Sequence, residues 1–149
     1  MYRSVGLALL VLAGIINSAS ACSCVPRPEK YLFCKNDFAV AFQVKDSGTV
    51  EGEFNVYQVD LLHMYRTVPF ENLDTDRIMT AGDNLPCGVA FIPNAFYVIS
   101  GNYNVTSGQP TRMQAHFCEL LLIFPNDPRL TYTPPECDTP GSQNGYSGG

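Results

Sequence analysis

The six cysteines of this sequence constrain its fold more than any other feature. They are Cys22, Cys24, Cys34, Cys87, Cys118 and Cys137. An even number of cysteines in a chain of this length indicates disulfides if the protein folds in an oxidising compartment, and metal or redox chemistry if it does not. Spacing alone does not choose among the possible pairings. The compartment must therefore be decided first, from the N-terminus.

The first 21 residues have the pattern of a secretory signal peptide. Arg3 supplies a positive charge, residues 5–16 are apolar, and Ala19-Ser20-Ala21 provides the small residues that signal peptidase accepts. A transmembrane anchor is the alternative, but this apolar run spans only about 18 Å of helix, well short of the roughly 30 Å hydrocarbon core. We therefore expect cleavage after Ala21, a secreted product that begins at Cys22, no membrane attachment, and three disulfides.

Alternation of apolar residues predicts two strands early in the mature chain. The first is Phe38–Val44, which has one strongly apolar face. The second is Glu53–Arg66, and a strand of that length usually coils around a small barrel. One face of this second strand is predicted to carry Tyr57, Val59, Leu61, His63 and Tyr65.

The rest of the mature chain predicts shorter elements. Strands are expected at Arg77–Ala81, at Ala95–Ser100 and from Thr111 through Met113, Ala115 and Phe117. Residues 22–34 are predicted to be irregular or extended because of their prolines, and little regular structure is expected beyond Pro125. The tail 138–149, which is rich in glycine and serine, is predicted to be disordered.

Five short strands, little helix and three disulfides predict a mainly β fold. The architecture that fits best is a five-stranded, closed, OB-fold-like Greek-key barrel with short helical segments, because closure removes exposed sheet edges. It would form one domain over residues 22–137. A β-sandwich is the alternative.

The sequence carries no catalytic constellation, so an enzyme is not expected. His63 and His116 lie outside any metal-ligand frame, and no nucleophile elbow or phosphate-binding loop occurs. The net charge of −5 argues against nucleic-acid binding. Asp74 and Asp76 fit a solvated loop better than a calcium site, and Cys22-Ser23-Cys24 fits a disulfide segment better than a metal-binding C-x-C. We expect no cofactor belonging to the protein itself.

One further motif suggests a covalent modification. Asn104-Val105-Thr106 fits the N-x-[ST] acceptor pattern and falls in a predicted polar connection of an exported chain. We therefore expect an N-linked glycan at Asn104.

The position of Cys22 has a chemical consequence after signal cleavage. Its free α-amino group and its own carbonyl oxygen could form a five-membered chelate on a metal ion. Catalytic zinc in hydrolases keeps a coordination position open for water or substrate. Because an α-amino group has a pKa of about 7.7–8.0, its deprotonation near neutral pH costs only about 1 kcal/mol. The alternative is that cleavage merely happens to fall at a cysteine.

Several short motifs together carry a resemblance to a known family. They are Cys22-Ser23-Cys24-Val25-Pro26, Phe33-Cys34, Met64-Tyr65-Arg66, Cys87-Gly88, Phe96-Tyr97-Val98-Ile99-Ser100-Gly101, Cys118 and Cys137. At these intervals the sequence resembles the N-terminal, netrin-like domain of the tissue inhibitors of metalloproteinases, over about residues 22–137. Because the second, six-cysteine domain of vertebrate members is missing, the resemblance is to a single-domain form of the invertebrate type.

The resemblance implies a fold, a disulfide pairing and a mechanism. The implied fold is an OB-fold barrel with the bridges Cys22–Cys87, Cys24–Cys118 and Cys34–Cys137. The implied partners are secreted zinc metalloproteinases, and the implied metal is the zinc of the target protease, chelated by the amino and carbonyl groups of Cys22. A doubly bridged edge loses little entropy when it enters a cleft.

The resemblance also assigns contacts along the protease cleft. Ser23 would point into the S1′ pocket, and Cys24-Val25-Pro26 would follow the primed side. Asn84-Leu85-Pro86 and Cys87 would occupy the unprimed side.

The sequence departs from the family at several points. Arg27-Pro28-Glu29 replaces the family's His-Pro-Gln, Pro86 stands where a small aliphatic residue is usual, and the segment between Cys118 and Cys137 is short. The alternative function is a secreted netrin-like binding module, with an immunomodulatory or signalling role through host or cell-surface receptors and no protease inhibition. In either case a monomer is expected.

Overall fold

A computed structural model of the protein describes residues 22–138. The predicted signal peptide and nearly all of the predicted tail lie outside the described residues. Within this range one α-helix, seven strands and a 3-10 helix follow one another along the chain. They are α1 (Glu29–Lys35), β1 (Phe38–Val44), β2 (Thr49–Glu51), β3 (Phe54–Thr67), β4 (Leu73–Ala81), β5 (Phe96–Asn104), β6 (Thr111–Ala115), β7 (Leu121–Phe124) and the 3-10 helix Pro128–Leu130.

Five of these strands close into a barrel. Around the ring, β1 pairs with β3, β3 with β4, β4 with β6, β6 with β5, and β5 with β1. Only the β4–β6 pairing within this ring is parallel, which is the Greek-key arrangement of an OB-fold. The predicted closed five-stranded barrel is confirmed, and the β-sandwich alternative is wrong. Strand β2 extends the edge of β3, and β7 extends that of β5.

Strand β1 is buried on both faces. Phe38, Val40 and Phe42 point into the barrel, where they pack with apolar residues of β3, β4, β5 and β6. Ala39 and Ala41 point outward and are also fully buried, against Phe33 of α1 and residues of β5 and the segment after β6. The alternation therefore separates large residues inside the barrel from small residues where the helix packs.

Helix α1 corrects one prediction. Residues 22–34 were expected to be irregular or extended, but the chain is helical from Glu29. A helix of seven residues is too short to be stable alone or to show a clear apolar period. Tertiary contacts hold it instead: Phe33 is 3% exposed, and Cys34 is bonded to Cys137.

Bulges in β3 correct a second prediction. Opposite β1, Phe42 pairs with Leu61, Ala41 with His63 and Val40 with Met64, so the register shifts along the strand. An extra residue in one strand moves the following side chains to the other face. Leu61 and Met64 consequently pack on the barrel core, whereas Tyr65 packs on the outer cluster and His63 is exposed. The predicted common face is wrong beyond Leu61.

Several strand ends also differ from the prediction. Strand β4 begins at Leu73 instead of Arg77, and β5 continues past Ser100 to Asn104. Strand β6 ends at Ala115, so Phe117 is not in a strand. None of the helices within residues 22–138 is long and apolar enough to cross a membrane.

Candidate functional site

Three segments meet at one end of the barrel and are held together by two disulfides. They are residues 22–26, residues 82–88 and residues 116–119, which we call the ridge. Cys22 is bonded to Cys87 with a Cα–Cα distance of 5.0 Å, and Cys24 to Cys118 with 5.2 Å. With Cys34–Cys137, these are the pairs that the resemblance implies.

The two disulfides of the ridge are in contact with each other. The Sγ atom of Cys22 lies 3.5 Å from that of Cys118 and 4.0 Å from that of Cys24. Since all these sulfurs are in disulfides, the contacts are van der Waals packing. In the N-terminal segment, Ser23 is exposed and Val25 is 69% exposed, while Cys22 and Cys24 are half-buried. The segment thus turns its sulfurs toward the barrel and its other side chains toward solvent.

Backbone hydrogen bonds fix the ends of the 82–88 segment. Gly82 N donates to the carbonyl of Glu53 at 2.8 Å, at the start of the segment. Just beyond its end, Val89 N donates to the buried Oγ1 of Thr80, also at 2.8 Å. Inside the segment, Leu85 N donates to the carbonyl of Gly82 at 2.9 Å and closes a turn. The segment is therefore attached to the residue before β3 and, through Val89, to β4, as well as to Cys22.

Gly88 is required by a close approach of two backbones. A Cβ atom at this position would lie 2.1 Å from the carbonyl oxygen of Ala81, a distance that no real structure tolerates. The preceding Cys87 has a φ of +69°, a left-handed conformation that is uncommon outside glycine. Asn84 and Pro86 are exposed, and Leu85 is partly buried.

A tight turn forms the third segment of the ridge. Glu119 N donates to the carbonyl of His116 at 3.0 Å, and Phe117 N donates to the carbonyl of Cys87 at 3.0 Å. Cys118 N donates to Nδ1 of His116 at 3.2 Å. The Phe117 side chain is 54% exposed. The turn is thus joined to the 82–88 segment by hydrogen bonding and to residues 22–26 by a disulfide.

Phe117 is a ridge residue that the alternation pattern misplaced. The pattern continues Met113 and Ala115, both buried, and therefore predicts a strand through Phe117. The strand ends instead because the chain turns to bring Cys118 to Cys24. The available signal in the sequence for placing Phe117 in the ridge was its position directly before Cys118, the cysteine that the resemblance pairs with Cys24.

A buried polar network supports the turn from behind. Asn36 is 3% exposed, and its Nδ2 lies 2.8 Å from Ser100 Oγ and 2.7 Å from Glu119 Oε2. Lys35 Nζ lies 3.0 Å from the same carboxylate oxygen. Ser100 Oγ also accepts a hydrogen bond from Leu120 N at 3.2 Å. Buried polar groups satisfied in this way fix the relative positions of helix, barrel and turn.

Two groups of side chains in the ridge have the proximity of a metal site but lack its chemistry. In each, the potential ligand atoms lie within 4.8 Å of one another. The groups are Cys22 with Cys24 and Cys118, and Cys87 with His116 and Cys118. Metal-ligating cysteine is a thiolate, and all of these cysteines are oxidised. His116 alone retains a ligand atom.

The two remaining predicted sites lie outside the ridge. Asn104, at the end of β5, donates from Nδ2 to Gln114 Oε1 at 3.2 Å and accepts from Thr106 Oγ1 at 3.3 Å. Asp74 and Asp76 share a hydrogen bond. The pKa of Asp74 is raised, mainly by burial and secondly by this bond. The pKa of Asp76 is lowered by the same bond. Arg77 Nε lies 4.0 Å and 3.8 Å from the two carboxylates and offsets their charge.

The sequence matches the family described as "Tissue inhibitor of metalloproteinase" over residues 20–125. The chain belongs to this family. The match includes the four cysteines of the ridge and the whole barrel, and it ends before Cys137. No curated protein matches the sequence. Members of the tissue inhibitor of metalloproteinase family are inhibitors, not enzymes, and their partners are metalloproteinases.

Proposed function

We propose that the secreted, mature protein inhibits zinc metalloendopeptidases of the matrix metalloproteinase type. In this proposal the α-amino nitrogen and the carbonyl oxygen of Cys22 chelate the catalytic zinc of the protease. The observation that carries it is the bridge from Cys22 to Cys87, which places the prospective N-terminal residue at the centre of the ridge.

The neighbours of Cys22 provide the contacts along the cleft. Ser23 enters the S1′ pocket, and Cys24, Val25 and Pro26 follow the primed side. Their support is exposure, since Ser23, Val25 and Pro26 all face solvent on a cross-linked segment.

The 82–88 segment covers the unprimed side. Asn84, Leu85, Pro86 and Cys87 make its contacts in this proposal, and Asn84 and Pro86 are exposed. The segment is held by hydrogen bonds at its start and just beyond its end, so binding orders little additional backbone. Fixing one flexible residue costs roughly 1–2 kcal/mol, so a preformed edge retains more of its contact energy as affinity.

Export and modification complete the proposal. Cleavage after Ala21 frees the amino group of Cys22, and the oxidising compartment that follows accounts for the three disulfides. A glycan on Asn104 would not obstruct the cleft, because β5 ends away from the ridge, beside the start of β6.

The test compares the chain that begins at Cys22 with one that carries an extra alanine before it. Both are titrated against several matrix metalloproteinase catalytic domains. The extra residue converts the amine into an amide, which is a poor zinc ligand, so we expect at least about a 100-fold loss of inhibition. A third chain with the alanine at its C-terminus is the matched control and should inhibit like the first.

Two outcomes oppose different parts of this proposal. Equal inhibition by the N-terminally extended chain would exclude chelation by the terminal amine. If neither chain inhibits any protease while peptide mapping finds all three disulfides, the netrin-like binding module replaces the inhibitor.

A further inference from the structure

We propose that a groove on the outside of the barrel binds the first N-acetylglucosamine units of the N-linked glycan on Asn104, and that this contact stabilises the fold. The inference rests on the export and glycosylation of the proposed function, but not on protease inhibition. Asn104 and Thr106, the two defining residues of the acceptor motif, both line this groove. A glycan attached to Nδ2 of Asn104 therefore begins in the groove.

The groove has two walls and a floor, and its volume is about 490 Å³. The hairpin that joins β2 to β3 forms one wall, and the β5–β6 connection forms the other. Strands β4 and β6 lie between these walls in the sheet and contribute Met79 and Arg112. Sites for small ligands commonly have volumes of roughly 300–1,000 Å³, so the groove is large enough for a sugar.

Polar side chains of the groove match the hydroxyl and acetamide groups of N-acetylglucosamine. Arg112 donates from Nη1 to Glu51 Oε2 at 2.8 Å and so connects the floor to the hairpin. The Nε atom of Arg112 is buried and has no hydrogen-bond partner within residues 22–138. Glu51 and Gln109 are exposed on opposite walls. The groove thus offers both donors and acceptors to a sugar.

Apolar side chains of the groove match the other face of the sugar. A pyranose ring carries C–H groups on its face, and these pack on aromatic and aliphatic surfaces. Phe54 of the hairpin is partly buried, Pro110 of the connection is exposed, and Met79 between them is 4% exposed. A sugar between the two walls would cover apolar surface on Phe54 and Pro110.

The attachment point is fixed before the glycan is added. Asn104 donates from Nδ2 to Gln114 Oε1 at 3.2 Å, and its Oδ1 accepts a hydrogen bond from Thr106 Oγ1 at 3.3 Å. Glycosylation leaves one hydrogen on Nδ2, so the bond to Gln114 can persist. Because the sugar is covalently attached, its effective concentration at the groove is roughly millimolar or higher, and weak contacts are sufficient. A group that binds only the folded state stabilises that state.

The first experiment compares one mature sequence with and without its glycan. The glycosylated chain is secreted from eukaryotic cells, and the bare chain is made in a bacterial periplasm. We expect the glycosylated chain to have a melting temperature about 3 °C higher. Trimming the glycan to one N-acetylglucosamine should retain most of this shift. Hydrogen exchange of residues 49–54 should be several-fold slower in the glycosylated chain, because the sugar covers the hairpin.

The second experiment alters the groove and moves the glycan. Phe54→Ala and Gln109→Ala are each made with and without the glycan, so that the cost of the substitution itself cancels. Each should reduce the glycan-dependent shift by at least about half. Gln109 is exposed, so this variant is informative even if Phe54→Ala fails to fold.

A matched control carries the same glycan elsewhere. Thr106→Ala removes the motif at Asn104, and Thr131→Asn creates a new one with Thr133. Thr131 is exposed, and the next residue, Tyr132, is hydrogen-bonded to Glu29 of α1, on a different side of the barrel from the groove. The melting temperature of this variant should differ by less than about 1 °C with and without its glycan.

Each outcome decides between docking and its alternatives. An equal shift from the moved glycan would assign the stabilisation to glycosylation in general and overturn the proposal. An unchanged melting temperature or unchanged exchange of residues 49–54 also overturns it. An unmodified Asn104 in the protein from eukaryotic cells overturns both the groove proposal and the proposed glycan. None of these measurements involves a protease, so a failure of inhibition leaves the groove proposal standing.

Discussion

The two ends of this barrel are built in different ways. At the ridge, three segments are cross-linked by two touching disulfides. Hydrogen bonds attach them to Glu53, just before β3, and to Thr80 in β4. At the far end, which comprises residues 67–72 and 105–110, the connections are held by hydrogen bonds such as Thr67 Oγ1 to Tyr103 OH at 2.6 Å. Over residues 22–138, no disulfide joins the far-end connections.

The ridge is therefore the more rigidly constrained of the two ends. Both ends expose an aromatic residue, Phe117 at the ridge and Phe70 at the far end. Only the ridge fixes its exposed residues covalently against one another. In the proposed function the ridge enters a protease cleft, where such constraint preserves affinity, whereas no protease contact is proposed for the far end. The following predictions test this separation, beginning with the largest expected effect.

Removing either of two disulfides should lower the stability of the protein by a similar amount, but only one of the two removals should weaken inhibition. Cys24–Cys118 and Cys34–Cys137 close loops of 94 and 103 residues, so the loop-entropy contribution is nearly equal, about 4.7 kcal/mol for each. Replacing both cysteines of one pair by alanine should lower the free energy of unfolding by that order. Inhibition per folded molecule should fall at least about 100-fold only for the pair in the ridge.

Chemical unfolding and protease titration together measure both effects. Equal loss of inhibition from the two pairs would show that the ridge needs general stability, not its own bridge.

Two glycines provide a smaller and matched comparison. Gly88→Ala places a Cβ atom against the Ala81 carbonyl and should lower the free energy of unfolding by about 3 kcal/mol. Gly108, at the far end, has a φ of +76° and open space around it, so Gly108→Ala should cost only about 1 kcal/mol. Thermal unfolding of both variants measures the difference. A tolerant Gly88 would mean that the 82–88 segment shifts more easily than its contacts indicate.

The smallest expected effect depends on pH and lies near the far end. Because burial raises the pKa of Asp74, the folded protein binds this proton more tightly than the unfolded chain does. The contribution of Asp74 to stability is therefore complete below its ordinary pKa of about 3.9 and is lost as the pH rises through the raised value. Asp74→Asn should raise the free energy of unfolding by about 0.5 kcal/mol at pH 7 and leave it unchanged near pH 3.

Asp76 is a control, because its pKa is shifted in the opposite direction to that of Asp74. The pKa of Asp76 is lowered by its hydrogen bond with Asp74, so its charged form favours folding above its ordinary pKa. Asp76→Asn should therefore destabilise the protein at pH 7, as measured by urea unfolding at both pH values. A destabilising Asp74→Asn at pH 7 would refute the assignment, and inhibition should be unchanged by either substitution.

Strand content was predictable where alternation and burial agree. Phe38–Val44 is a strand with the predicted bounds, and Glu53–Arg66 differs from β3 by one residue at each end. The helix Glu29–Lys35 was not predictable, because Phe33 packing and the Cys34–Cys137 bridge stabilise it from outside its own sequence. The strand ending at Ala115 was missed for the same reason, since a distant cysteine determines where the chain turns.

The sequence by itself determined the number of disulfides, the main strands that form the barrel and the family to which the chain belongs. These follow from local composition, short spacings and motifs. Tertiary structure alone decided which side chains share a face beyond Leu61, because bulges opposite β1 shift the register. It also decided that Phe117 faces solvent beside Cys87. Both outcomes depend on partners far away in the chain, which the local alternation of apolar residues does not specify.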